Sequence, residues 1–175
     1  MTAPRTLTIP RWAALASGPV VFLVAIPLVH GALPWTIASF GHRYGWEVGQ
    51  PAPWNLLGLL PILAGIVVLV WIMIIALGVG SELPERVALD WSPKVFLKCG
   101  PYAVLRHPMY LAEIELWLGW AILFGSVYVL IGCLLISVGA SIVAPREELA
   151  LELKFGEAYR QYKSVVPRWI GQPWV

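Results

Sequence analysis

The chain has 175 residues, of which 59% are hydrophobic and only 13% charged, with a formal net charge of +2. Soluble domains of this size carry about a quarter charged residues, so long uncharged runs at this composition point to an integral membrane protein. The small net charge excludes a nucleic-acid binder as the leading class, and two cysteines, one in a polar loop and one in an apolar run, exclude a disulfide framework.

Four apolar stretches follow in chain order. The first, Trp12–Leu33, comes after Arg5 and Arg11 and is interrupted by Pro19 and Pro27. It is longer than a signal-peptide core and lacks a small-x-small cleavage site, so it reads as a retained membrane helix. The second, Trp54–Gly80, is free of charge and contains Pro61. The third, Pro108–Phe124, is the shortest, and Gly125 and Ser126 join it to the fourth, Ser126–Ala144, which predicts a tight helical hairpin. Gly125, Gly132 and Gly139 recur every seven residues, a spacing that lets another helix approach one face. Past Pro145 the pattern turns amphipathic, predicting a cytoplasmic surface helix with Glu147 and Glu148 near its start, where the helix dipole favours acids. The expected architecture is therefore all-α, with about four transmembrane helices and an amphipathic C-terminal helix. It forms a single membrane domain over 1–175: two N-terminal spans over 1–80, then loop, hairpin and C-terminal helix over 81–175.

Charge sets the expected orientation. With four crossings, eleven of the twelve Lys and Arg residues fall on the side shared by both termini and the 81–107 loop, leaving Arg43 alone opposite. The positive-inside rule makes the shared side cytoplasmic. The protein is expected in the inner or plasma membrane, with both termini in the cytoplasm.

Chemistry concentrates where the third stretch begins. Pro108 suits a first helical turn, which leaves Arg106 and His107 beside unsatisfied backbone N–H groups, a natural anion site. The same two residues read equally as anchors at the lipid headgroups. Glu113 and Glu115 are about 200° apart around a helix and cannot share a face. Glu113 lies with Tyr110, Trp117, Trp120 and Phe124, an aromatic wall able to hold a cation. Glu115 lies with Leu111, Leu118 and Ile122, where an interhelical hydrogen bond is the simplest role. No nucleotide loop, nucleophile elbow or paired CxxC is present, and His30, His42 and His107 are too scattered for a metal site.

Gly100-x-Tyr102, Arg106-His107-Pro108-x-Tyr110, the hairpin, Glu147-Glu148, Phe155-Gly156-x-x-Tyr159-x-x-Tyr162 and Val166-Pro167 together resemble the isoprenylcysteine carboxyl methyltransferases over roughly residues 94–170. The related phospholipid N-methyltransferases share much of the pattern. The resemblance implies an S-adenosylmethionine-dependent methyltransferase acting on a lipophilic or lipid acceptor that enters from the bilayer. It implies cofactor contacts from Leu97, Gly100, Tyr102, His107, Pro108, Tyr110, Glu147 and Glu148, enclosed where the Arg-His-Pro corner and the glutamate pair fold together. Arg106, Glu113 and Tyr110 are the candidates for catalysis. The arginine that usually precedes the glutamate pair in that family maps to Val143, with Arg146 about one turn away. Two other readings stand beside it. One is a sterol-reductase-like enzyme using NADPH, because Arg-His-Pro-x-Tyr-x-x-Glu also occurs in such proteins. The other is a non-enzymatic membrane module that binds a partner.

Overall fold

The computed structural model describes residues 8–20, 24–25, 28–78, 85–88 and 96–170. Among these, helices dominate: α1 (Arg11–Val20), α2 (Leu33–Ser39), α3 (Leu59–Gly78), α4 (Pro108–Phe124), α5 (Val127–Phe155) and α6 (Glu157–Val165). Short strands β1 (Thr8–Pro10) and β4 (Arg86–Ala88) pair antiparallel, and β2 (Trp46–Glu47) and β3 (Gln50–Pro51) form a small hairpin. Two helical runs are long and apolar enough to cross a membrane, Pro53–Gly78 and Val127–Phe155. The 17 residues of α4 reach about 25 Å at 1.5 Å per residue. Of the first predicted span, α1 and residues 24–25 and 28–33 are described, whereas residues 21–23 and 26–27, Pro27 among them, lie outside the described residues.

The exterior is apolar. Val67 and Leu135 are 62% and 68% exposed, and the other outward positions of α3 and α5 are similar. Water would not tolerate such a surface, but lipid would. The core lies on both sides of α4. Ala112 and Leu116 pack on Ile62 and Leu69 of α3, while Trp117, Ala121 and Phe124 pack on Val129 and Cys133 of α5.

Glycine makes the α3–α4 seam close. A Cβ on Gly119 would lie 2.5 Å from Ile62 and 2.6 Å from the Gly58 carbonyl, and one on Gly65 would lie 2.7 Å from the Ala112 carbonyl. The seven-residue glycine series on the fourth stretch divides differently. Gly132 faces the Trp117 ring, Gly125 forms the turn, and a Cβ on Gly139 would meet nothing within 4 Å among the described residues. The packing seam expected there is therefore carried by Gly132 alone, and the closer seam lies on the other side of α4.

The hairpin between α4 and α5 turns as predicted. Gly125 closes α4 in the left-handed region at φ 58°, and the Ser126 hydroxyl accepts the Val129 N–H to begin α5. The 41–58 segment is fastened to this turn. Tyr44 N–H donates to the Gly125 carbonyl (2.9 Å), and the buried Asn55 amide donates to the carbonyls of Tyr44 and Ile122. The Arg43 guanidinium lies 3.4 Å over the Trp46 ring, with Trp35 and Phe124 close by. This segment is a pinned cap on the end opposite the Arg-His-Pro corner.

One boundary differs from the sequence expectation. The helix does not restart after Pro145. It runs through Pro145 to Phe155 and breaks at Gly156, whose φ of 56° and ψ of −127° suit only glycine. Glu147 and Glu148 therefore lie deep in α5, far from any helix start, and the dipole does not account for them. At 29 residues α5 is about 44 Å long, more than the hydrocarbon core needs. Its apolar part, residues 127–144, is about 27 Å long and free of charge, and residues 145–155 continue past it carrying the charges.

Candidate active site

Three pieces of chain meet at this end of the bundle. The 3₁₀ turn Gly100–Ala103 and the Arg106-His107 corner lead into α4, the charged end of α5 runs alongside, and α6 folds back after Gly156. Pro108 takes the first position of α4, so His107 precedes the helix at its N-cap with non-helical backbone (φ −125°, ψ 58°). Tyr159 and Tyr162, one turn apart on α6, bury against Phe96, and the Tyr162 hydroxyl donates to the Tyr102 carbonyl at 2.7 Å.

Between them is a cavity of about 350 Å³, within the range of small-molecule sites. Leu97, Tyr102, Arg106, His107, Tyr110 and Glu147 line it, with Phe96, Met109, Ala150, Leu151, Tyr159 and Tyr162 completing the wall.

The two glutamates divide the work. Tyr110 donates its hydroxyl to Glu147 Oε1 at 2.8 Å, and the Glu147 side chain stays half exposed at the cavity. Glu148, about 100° further round the helix, is buried. Arg168 donates to it through Nε (2.8 Å) and Nη2 (2.9 Å), one to each oxygen. His107 Nε2 lies 3.1 Å from Oε1, and Arg106 Nη1 lies 3.4 Å from Oε2. A carboxylate only accepts, so His107 carries its proton on Nε2 in this contact. Burial alone would raise the Glu148 carboxyl. The hydrogen bonds from Arg168 and His107, with the Arg106 charge, overcome that and hold it at about 2. Burial pushes the Tyr159 and Tyr162 phenols up, so both remain neutral hydrogen-bonding groups.

Arg106 is the unbalanced member. Its side chain is 9% exposed, yet Nε and Nη1 lack a hydrogen-bond partner. Both nitrogens are shielded, and Nη1 is the one turned toward Glu148, so Arg106 brings a positive charge to the cavity wall, where it favours an anion. The His107 ring stacks on Tyr110 (ring centroids 5.6 Å apart) and also contacts Trp169 (5.5 Å).

The corner and the glutamate pair are thus brought together. Of the residues that the resemblance implied for the cofactor, Leu97, Tyr102, His107, Tyr110 and Glu147 reach the cavity wall, and Gly100, Pro108 and Glu148 stand behind it. Gly100, at φ 59°, lies where a Cβ would strike Ile75 and approach Trp71, so it serves the close contact with α3. Of the three candidates for catalysis, Arg106 and Tyr110 line the cavity. Glu113, half-buried three residues beyond Tyr110, does not, nor do the exposed Val143 and Arg146. Sequence reasoning passed over Phe96, Arg168 and Trp169. Tyr159 and Tyr162 carried a signal, two aromatics one turn apart on an amphipathic helix. Arg168 carried none beyond its place next to Val166-Pro167.

The fold and this cavity define a helical membrane protein with a polar ligand site at one end of its bundle. The chain matches the family described as phospholipid methyltransferase over residues 53–158, more than half its length. It belongs to that family of membrane methyltransferases, which takes in isoprenylcysteine carboxyl methyltransferase-like proteins. A Haemophilus influenzae protein described as uncharacterized is 38% identical over 63 residues, which is 35% of this chain and all of that protein. No solved structure matches.

Proposed function

We propose that this protein transfers a methyl group from S-adenosylmethionine to a lipophilic acceptor at the cytoplasmic face of the membrane, in the manner of the isoprenylcysteine carboxyl methyltransferases. The observation that carries the reading is the cavity at the Arg-His-Pro corner, where a guanidinium charge, a half-exposed carboxylate and a ring of aromatics converge. These residues fit the methyl donor chemically. Arg106 suits its carboxylate, Glu147 suits its ammonium or ribose hydroxyls, and the faces of Tyr102, Phe96, Tyr159 and Tyr162 suit an aromatic base and a sulfonium cation.

Bound there, the cofactor supplies an electrophilic methyl group on sulfur. The chain's part is to position and to exclude water. Tyr110 fixes the Glu147 carboxylate through its 2.8 Å hydrogen bond, and the aromatic wall dries the pocket. Glu148 holds Arg106 and His107 in place from behind. Arg106 can also orient an anionic acceptor. Glu113, on the bilayer side of Tyr110, would take the proton of an acceptor that loses one.

Incubation of the purified protein with radiolabelled S-adenosylmethionine and total lipid extract tests the reading. Labelled lipid is the expected product. A protein that labels no lipid and binds neither S-adenosylmethionine nor S-adenosylhomocysteine in calorimetry overturns it. Thermal stabilisation by NADPH in place of either would favour the reductase.

A further inference from the structure

The charged extension of α5, residues 145–155, has three sides. One is covered by α6 and the strap that follows it, where Val166 is buried and the Pro167 carbonyl accepts the Arg106 N–H at 2.9 Å. Glu148 turns to this side to meet Arg168, Phe155 and Leu151 pack on its aromatic cluster, and Glu152 pairs with Lys163 and Arg160 of α6. The second side bears Glu147 and Ala150 and faces the cavity.

The third side is bare and apolar. Leu149 and Leu153, four residues apart and so about 40° from one another around the helix, are 59% and 80% exposed. Stepping back along the same face, Ile142, Val138, Leu135 and Ile131 are exposed as well, and these belong to the apolar part of α5. The lipid-facing stripe of the span therefore continues past Pro145 without changing face. Arg146 is the charged residue beside it, while the three glutamates of the extension point to the other two sides.

A solvated helix would not keep its two most exposed leucines on one face free of acids. Length indicates what covers them. At about 44 Å, α5 exceeds the hydrocarbon core of about 30 Å but matches the bilayer taken with its headgroups, about 40–45 Å. Its last turns then lie at headgroup level, where an apolar face can reach the acyl boundary and an arginine at its flank can meet phosphate.

We propose that the extension of α5 is a membrane-surface helix: Leu149 and Leu153 bed in the headgroup–acyl boundary of the leaflet next to the cavity, with Arg146 on the lipid phosphates. The occupant of this face is lipid, because the face is continuous with the one that lipid already covers. The proposal concerns the membrane and not the methyl donor, and a chain that bound no S-adenosylmethionine would leave it standing.

The test uses the full-length chain with Cys99→Ser, which leaves the buried Cys133 as its native thiol, and a fluorescent thiol label at Leu153→Cys. The protein is set in nanodiscs of phosphatidylcholine and phosphatidylglycerol, whose two faces are both open to solution. Lipid carrying a nitroxide near the glycerol end of its acyl chain should quench the label strongly. Aqueous iodide should quench it severalfold less than the same label at Gln161→Cys, an exposed position of α6. The Leu149→Cys label should behave as the Leu153→Cys label does. Iodide quenching equal to that at Gln161→Cys overturns the proposal, since the stripe would then stand in water. Quenching by neither agent also overturns it, because protein rather than lipid would cover the face. So does stronger quenching by a nitroxide at the methyl end of the chain, which would place the leucines in the hydrocarbon core.

Discussion

Glu148 is where a single side chain decides most. Its carboxyl sits at about 2 in the folded protein, against 4.5 for an unperturbed glutamate. A carboxyl whose folded pKa is depressed contributes stability above its unfolded value, and that contribution is lost as pH falls through the folded one. Glu148→Gln should therefore unfold more easily at neutral pH by about 3 kcal/mol, since Arg168 and Arg106 lose their counter-charge in a buried place. The gap between parent and variant should close as pH falls from about 4.5 to 2. Intrinsic fluorescence melts in detergent across that range check both statements, and a gap that stays constant would show that the ion cluster does not set acid stability. The sequence showed two adjacent glutamates in a charged stretch but not their division of labour. Neighbours on a helix point about 100° apart, so one had to turn inward, and which one depended on where α4 and the strap would lie. Arg168, twenty positions downstream of its partner, has no local signature because nothing in its own neighbourhood requires an arginine.

Helices were legible in proportion to how locally their ends are determined. The α4 boundaries are written in the sequence, with Pro108 opening it and Gly125-Ser126 closing it, and the structure follows both. Pro145 reads as a break, yet α5 continues, because an internal proline costs one backbone hydrogen bond and a local clash that tertiary packing can absorb. The actual break needs a conformation that only Gly156 offers, and this was invisible as long as Pro145 seemed sufficient. Glycine periodicity misled for a related reason: it says where a neighbour could come close, not that one does. Two substitutions separate these cases. Gly119→Ala places a methyl against Ile62 and the Gly58 backbone and should destabilise the bundle by about 1–3 kcal/mol, the usual cost of overpacking. Gly139→Ala meets nothing among the described residues and should leave stability unchanged or raised by up to about 1 kcal/mol through helix propensity. Parallel thermal melts of both variants measure the difference, and equal behaviour would refute the α3–α4 seam.

At the scale of the whole molecule, the two ends of the bundle differ in kind, and that difference makes orientation measurable. One end carries the cavity, the charged extension of α5 and the basic residues Lys98, Arg160, Lys163 and Arg168. The other carries the pinned 41–58 cap, whose one basic residue, Arg43, is engaged with aromatic rings. A bilayer sorts such ends by their Lys and Arg content, retaining the richer one in the cytoplasm. The proposed methyl-donor chemistry makes the same demand, since a cavity for a soluble cytosolic cofactor would be useful only where that cofactor is present. The chain holds its own probe: Cys99 is exposed at the cavity end, whereas Cys133 is buried between α4 and α5. A membrane-impermeant maleimide should label Cys99 in inside-out vesicles and leave right-side-out vesicles unlabelled. Moving the thiol reverses the expectation. Cys99→Ser combined with Val48→Cys puts it on the exposed tip of the β2–β3 hairpin, at the opposite end, and that protein should label only from outside. Labelling of Cys99 from outside would put the cavity beyond reach of the cytoplasmic pool of methyl donor, and the orientation and the proposed reaction would fall together.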